Sequence, residues 1–185
     1  MIKRGFDIAA SLAGLIVLAL PMLAIAIAVR LDSPGPAIHW SKRFGAGGVL
    51  FAMPKFRTMR IGTPQLPTHL LGDGAVHLTS IGGFLRRTSL DEIPQLWSVL
   101  TGRMSLVGPR PALFNQDDLM AMRWEAGVEM LRPGITGWAQ INGRDDLPLD
   151  EKVRLDRAYL DRKNLGFDLR IILLTLARGN RGISH

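Results

Sequence analysis

The chain has 185 residues, enough for one modest domain with an appendage, and 47% of them are hydrophobic, enough for a core. Lys and Arg outnumber Asp and Glu by 23 to 16, and the net charge of +7 points to phosphates, nucleic acid or an anionic membrane surface as partners. The lack of cysteine excludes disulfides, thiolate zinc sites and cysteine nucleophiles, and His39, His69, His77 and His185 lack the i, i+4 spacing of a helical metal pair.

The first element is apolar. From Ile8 to Val29 there are 22 residues without a charge, flanked by Lys3, Arg4 and Asp7 before and Arg30 and Asp32 after. A straight helix of that length would reach about 33 Å and could just cross a hydrocarbon core. Pro21 argues against straightness, because an interior proline removes a hydrogen bond and clashes with the preceding turn, so a break is expected at Leu20-Pro21. Basic residues lie on both sides, with Lys42, Arg43, Lys55, Arg57 and Arg60 following Arg30. The preference for basic residues on the cytoplasmic side is then best met by a segment that enters the bilayer, bends and returns to the same face. No small-residue cleavage site marks a signal peptide. Ser33-Pro34-Gly35-Pro36 ends the helix. Residues 1–36 are therefore expected to form a re-entrant membrane anchor, with a simple single span as the alternative, and residues 37–185 the catalytic unit.

Beyond Pro36 the composition is mixed. Gly45, Gly47 and Gly48 match neither a Walker loop nor a dinucleotide fingerprint and read as a hairpin turn, with the run Val49 to Ala52 leading into Pro54-Lys55-Phe56-Arg57 as a strand. Ile61 to Thr79, rich in Gly, Pro and Thr, reads as a surface loop. Helices are expected at roughly 80 to 87, 90 to 102, 115 to 131, 149 to 163 and 167 to 178. The fold class is thus mostly α with a small β element. In the last two helices apolar and basic residues alternate, the pattern of helices that lie on anionic lipid headgroups.

The chemistry concentrates at Thr88 to Leu96. Ser89 and Glu92 have capping-box spacing, which would set Asp91 and Glu92 at the positive end of a helix starting there. An ionised carboxylate in that position can attack phosphorus or hold Mg²⁺, although an ordinary acidic cap has the same composition. Basic residues arrive from separate segments: Lys55 and Arg57, Arg86 and Arg87, Arg103, Arg110 and Arg144. Arginine forks match phosphate oxygens, and Arg110, between Pro109 and Pro111, would be held rigidly for that task.

Several strings in fixed order carry a family resemblance: Arg43-Phe44-Gly45, Lys55-Phe56-Arg57-Thr58-Met59, Arg87 to Leu96, Met104 to Pro111, and Arg132 to Arg144. With them the chain resembles the small, monotopic phosphoglycosyl transferases among the bacterial sugar transferases, over nearly its whole length. The resemblance implies transfer of a sugar-1-phosphate from a UDP-sugar to polyprenyl (undecaprenyl) phosphate with release of UMP. It implies a phosphosugar-aspartyl intermediate and Mg²⁺, at the cytoplasmic face of the bacterial inner membrane and as the first membrane step of glycan assembly. It makes Asp91 the nucleophile and Glu92 its assistant, in metal binding or in deprotonating the lipid phosphate. It makes Lys55, Arg57, Arg87, Arg110 and Arg144 candidate phosphate ligands, and Asp156 and Asp168 further candidate acids. Anionic lipids are expected partners and nucleic acid is not; oligomeric state is left open. The donor leans toward an N-acetylated amino sugar. One departure is Leu20, where many members carry Ser before the helix-breaking proline. The competing reading is a non-catalytic, basic membrane-surface binding module.

Overall fold

The computed structural model describes residues 2–64, 74–143 and 147–178. Arg144, His69 and His185, named above, lie outside them. The order is α1 (Ile2–Val17), α2 (Ala19–Asp32), β1 (Ile38–Phe44), β2 (Leu50–Phe56), α3 (Gly82–Arg87), α4 (Gln95–Leu100) and β3 (Ser105–Val107), then α5 (Asp117–Glu125), β4 (Gly134–Thr136), α6 (Trp138–Ile141), α7 (Leu149–Arg162) and α8 (Leu165–Arg178). Helix predominates, as expected.

α1 and α2 meet at a 61° bend. The break falls at Leu18, two residues before Leu20 and three before Pro21, and the hydrogen bonds explain why. The Leu18 amide still donates to the Gly14 carbonyl at 2.9 Å and the Met22 amide to the Leu18 carbonyl at 2.8 Å. Pro21 has no amide hydrogen for the Val17 carbonyl four residues back, so the ladder opens at that carbonyl while Pro21 itself sits in the tolerant first turn of α2. No single helix among the described residues is long and apolar enough to cross a membrane, but the bent pair passes that test together. Ile8, Leu12, Ile16, Leu20, Leu23 and Ile27 lie exposed along it.

α1 also carries a polar stripe. Lys3, Asp7 and Ser11 recur every fourth residue, one face of a helix, and Asp7 and Ser11 are buried. Asp7 accepts hydrogen bonds from the Ser105 hydroxyl at 2.9 Å and the Leu106 amide at 3.2 Å, capping the edge of β3. Lys3 donates to Asp168 at 2.6 Å and to the Val107 carbonyl at 3.2 Å. Arg4 donates to the carbonyls of Val99 (2.6 Å) and Leu100 (2.8 Å) at the end of α4, where helix carbonyls lack partners. The first turns of the apolar pair are therefore built into the rest of the chain, and contacts cross the boundary expected at residue 36.

β1 and β2 pair antiparallel from Ile38 opposite Phe56 to Phe44 opposite Leu50, and the glycine-containing turn at Ala46–Gly48 joins them as expected. The second sheet was not expected: β3 and β4 pair in parallel, Ser105 with Gly134 and Val107 with Thr136. Their approach requires glycine, since a methyl group at Gly134 would collide with the Gly108 amide and one at Gly137 with the Gly108 carbonyl. Three-residue strands are too short to show alternation, which hid them in the sequence. α5 is shorter than expected because Gly127, at φ +67°, turns the chain after Ala126.

Candidate active site

Arg43, Lys55, Glu92, Gln95, Arg110 and Gly134 line one shallow cleft. The β1–β2 hairpin supplies Arg43 and Lys55, the segment entering α4 supplies Glu92 and Gln95, and the turn after β3 supplies Arg110. Asp91, 6% exposed, sits beside Glu92 and within electrostatic reach of Lys55, Arg86 and Arg110.

The capping box does not form. Ser89 adopts a left-handed conformation, φ 56° and ψ 17°, with no side-chain cap. Leu90–Glu92 is a single 3₁₀ turn, and regular helix begins only at Gln95, because Pro94 cannot donate into an earlier turn. The acidic pair is therefore placed by a strained turn rather than by a helix dipole. Ser89→Gly is expected to hold or raise stability, by up to about 1 kcal/mol, since glycine enters this conformation without a Cβ penalty. A capping serine would lose stability on the same change, and a denaturant titration gives the sign.

The electrostatics follow from burial. The Asp91 carboxyl is pushed up to about 6, first by burial and then by Glu92, against the pull of Lys55, Arg86 and Arg110. This corrects the expectation of a carboxylate eased by helix geometry, although Asp91 is still mostly ionised at neutral pH. Lys55 is pushed down to about 8 by burial and by Arg43 and Arg86, with Asp91 and Glu92 opposing. Arg110 reaches Glu92 only loosely, at 3.4 Å from each terminal nitrogen. A cleft in which cations crowd one another around a partly suppressed acid is suited to an added polyanion.

The other expected residues are placed differently. Arg57 is buried and its guanidinium donates to the carbonyls of Val29, Ser33 and Pro34 at the end of α2. It clamps the exit of the apolar pair and does not line the cleft. Arg87 is exposed, whereas its neighbour Arg86 acts on Asp91 and donates to the Thr58 hydroxyl at 3.0 Å. Asp156 is paired with buried Arg123 at 2.7 and 3.1 Å, and Arg123 also donates to the Arg110 carbonyl at 3.0 Å. Asp156 thus reaches the cleft through Arg123 and the Arg110 turn. Asp168, 1% exposed, accepts from the Tyr159 hydroxyl at 2.7 Å and from Lys3, joining α7, α8 and α1. Arg43 and Gln95, which the structure adds to the cleft, lay within the quoted strings but had no charge pairing or spacing to single them out.

The two carboxylates suit a hard divalent cation only in company. Among the described residues no group of three or more His, Cys, Asp or Glu could hold a metal. Asp91 and Glu92 would share such an ion with substrate phosphate oxygens and water, the usual arrangement for Mg²⁺.

Residues 1–181 match a family model described as bacterial sugar transferase. The chain is 37% identical to a UDP-glucose:undecaprenyl-phosphate glucose-1-phosphate transferase of Escherichia coli, over 97% of its own length and 40% of the relative's. It is 42% identical to a protein of the same description from Xanthomonas campestris pv. campestris, over 85% of itself and 34% of the relative. An uncharacterised sugar transferase of Bacillus subtilis is 39% identical, with 96% of this chain matching 87% of that one. The chain therefore spans about two fifths or less of the first two relatives and most of the third.

Proposed function

The chain belongs to the bacterial sugar transferase family, and from that premise we propose that it transfers a sugar-1-phosphate from a UDP-sugar to undecaprenyl phosphate, releasing UMP. The observation that carries this is the clustering of Lys55, Arg86 and Arg110 around a buried Asp91 beside Glu92. Cations from three separate segments would bind the phosphates of donor and acceptor, and of the two carboxylates among them, Asp91 and Glu92, the family resemblance makes Asp91 the nucleophile.

In the first half-reaction an Asp91 carboxylate oxygen forms a bond to the β-phosphorus of the donor. The bond from that phosphorus to the bridging oxygen breaks, and UMP leaves with the electron pair. In the second, an oxygen of the lipid phosphate attacks the same phosphorus and the Asp91 carboxylate departs, regenerating the enzyme. Lys55 and Arg110 stabilise the charge spread over the phosphoryl oxygens, the larger part of catalysis in phosphoryl transfer. Glu92, held loosely by Arg110, is free to orient the donor or to take a proton from the lipid phosphate. Mg²⁺ bound to the acidic pair would neutralise and align the diphosphate.

The place of action we propose is the cytoplasmic face of the bacterial inner membrane, with the bent α1–α2 pair re-entrant and the protein monotopic. The exposed apolar residues along that pair support it. So does α8, where Leu169, Leu173 and Leu176 lie exposed at the spacing of one helix face, as an interfacial helix on anionic lipid requires. Glucose and galactose appear in relatives' names, such as an undecaprenyl-phosphate galactose phosphotransferase of Salmonella typhimurium. A neutral hexose therefore replaces the N-acetylated sugar as the first donor to try.

Detergent-solubilised protein with undecaprenyl phosphate, Mg²⁺ and a panel of UDP-hexoses and UDP-N-acetylhexosamines should release UMP with at least one donor. Silence across the panel, with lipid binding intact, would leave the non-catalytic binding module.

A further inference from the structure

Two-step transfer brings two phosphorylated substrates to the cleft in turn, and its hairpin wall carries a side chain that the donor chemistry does not use. His39 stands directly opposite Lys55 in the β1–β2 register, Ser41 opposite Met53 and Arg43 opposite Phe51. Side chains alternate along a strand, so His39, Ser41 and Arg43 share the face that carries Lys55, and directly paired residues have Cβ atoms about 5 Å apart. Lys55 and Arg43 line the cleft, and His39 belongs to the same face at its Lys55 end.

The two ends of this wall have different neighbours. Ile38 and Phe56, one rung past His39, pack with Val29, Met22, Ile25 and Ala26 of α2. At the far end Phe44 packs with Leu119 and Met120 of α5 and Val153 of α7. His39 therefore marks the end beside the bent apolar pair, and Arg43 the end away from it. They are four residue steps apart, about 13 Å along the strand, farther than the two phosphorus atoms of one diphosphate. The wall has room for two separate phosphoryl groups.

The charged groups that act on His39 are both cations: the imidazole is half-buried, and burial, then Lys55, then Arg43 hold its pKa below the ordinary histidine value. An anion placed between His39 and Lys55 would relieve both groups.

We propose that His39 and Lys55 together bind the phosphate monoester of the lipid acceptor at the α2 end of the cleft, while the donor diphosphate lies toward Arg43 and Arg110. The assignment rests on the transfer reaction proposed above. It gives the acceptor a direct route: its hydrocarbon stays with the apolar pair and only its headgroup enters. Asp91, acted on by Lys55 and Arg86 as well as by Arg110, is within electrostatic reach of both subsites.

The test compares His39→Leu and His39→Gln with the parent chain in lipid nanodiscs holding undecaprenyl phosphate, using UDP-glucose or the donor of the panel that is turned over. His39→Leu is expected to raise the KM for undecaprenyl phosphate about tenfold, the scale of one hydrogen bond to a charged group. His39→Gln, which keeps a donor, should raise it less. The donor KM and the burst of UMP formed without acceptor should not change. Parallel rises in both KM values, a smaller burst, or no change in acceptor KM would overturn the assignment. If the leucine variant melts lower, the glutamine variant carries the comparison. A parent chain that turns over without a burst would refute the covalent intermediate, and His39 would still be decided by acceptor against donor KM.

Discussion

Asp91→Asn is expected to abolish turnover and the acceptor-free burst of UMP while making the folded protein more stable at neutral pH. Both effects come from one environment. The amide cannot form the acyl phosphate, so the rate should fall on the order of 10⁴-fold or more, as when other enzymes lose a nucleophile. For stability the sign follows from the pKa. The folded state raises the Asp91 carboxyl from 3.8 to about 6, so it holds the proton more tightly than the unfolded chain does. Its stability contribution is fully present below about pH 4 and is lost as pH rises toward 6. Above that the ionised group costs the fold roughly 3 kcal/mol, which the neutral amide does not. Thermal melting at pH 7.5 and at pH 4 should therefore show the variant ahead of the parent chain at the higher pH and level with it at the lower. A variant that keeps the burst sinks the nucleophile assignment. One that loses the burst but melts lower at pH 7.5 means that Asp91 is held by its cations more than it is strained by burial.

The same reading predicts a pH profile. Donor attack needs the Asp91 carboxylate, so the first half-reaction should fall as pH drops through about 6, and phosphate binding should weaken as Lys55 loses its proton above about 8.

Some of this was legible in the sequence and some was not, for reasons specific to particular residues. The apolar run from Ile8 to Val29 and Pro21 were enough to expect a bent pair, because charge-free length and a missing amide act locally. The docking of α1 also has a signal in the sequence: Lys3, Asp7 and Ser11 recur at helical spacing, a polar stripe on an otherwise apolar helix, and such a stripe needs polar partners. The family resemblance makes Asp156 and Asp168 further candidate acids, and the structure gives each a buried partner as well. Asp156 lies three residues from both Val153 and Tyr159, and Asp168 three residues from Ile171, all buried. An acid on the inward stripe of a helix is more often a paired counter-ion than a reagent. Arg86 and Arg87 could not be told apart by type. On a helix adjacent residues point about 100° apart, so one of them faces Asp91 and the other water. Ser89 misled in the opposite direction: the capping-box pattern was correct as a pattern, but Pro94 and the tertiary fold delayed the helix to Gln95.

Removing Asp156 should be the most damaging single change outside the cleft. Arg123 is 5% exposed and gives two hydrogen bonds to one Asp156 oxygen. Asp156→Ala leaves that guanidinium buried without its counter-ion, a loss of about 3–5 kcal/mol. In a domain of this size that lowers the melting temperature by roughly 10 °C. Activity should fall further than stability explains. Arg123 also donates to the Arg110 carbonyl, so an Arg123 that turns toward water releases the turn between Pro109 and Pro111 and with it a phosphate ligand. A double variant, Asp156→Leu with Arg123→Met, separates the two effects. Replacing both charges by apolar groups of similar volume can return most of the stability of a buried ion pair, but it cannot return the hydrogen bond to the Arg110 carbonyl. The double variant is therefore expected to melt near the parent chain while its donor KM stays several-fold high. If it regains both stability and donor KM, the buried pair serves the fold alone, and the rigidity of Arg110 comes from its two prolines.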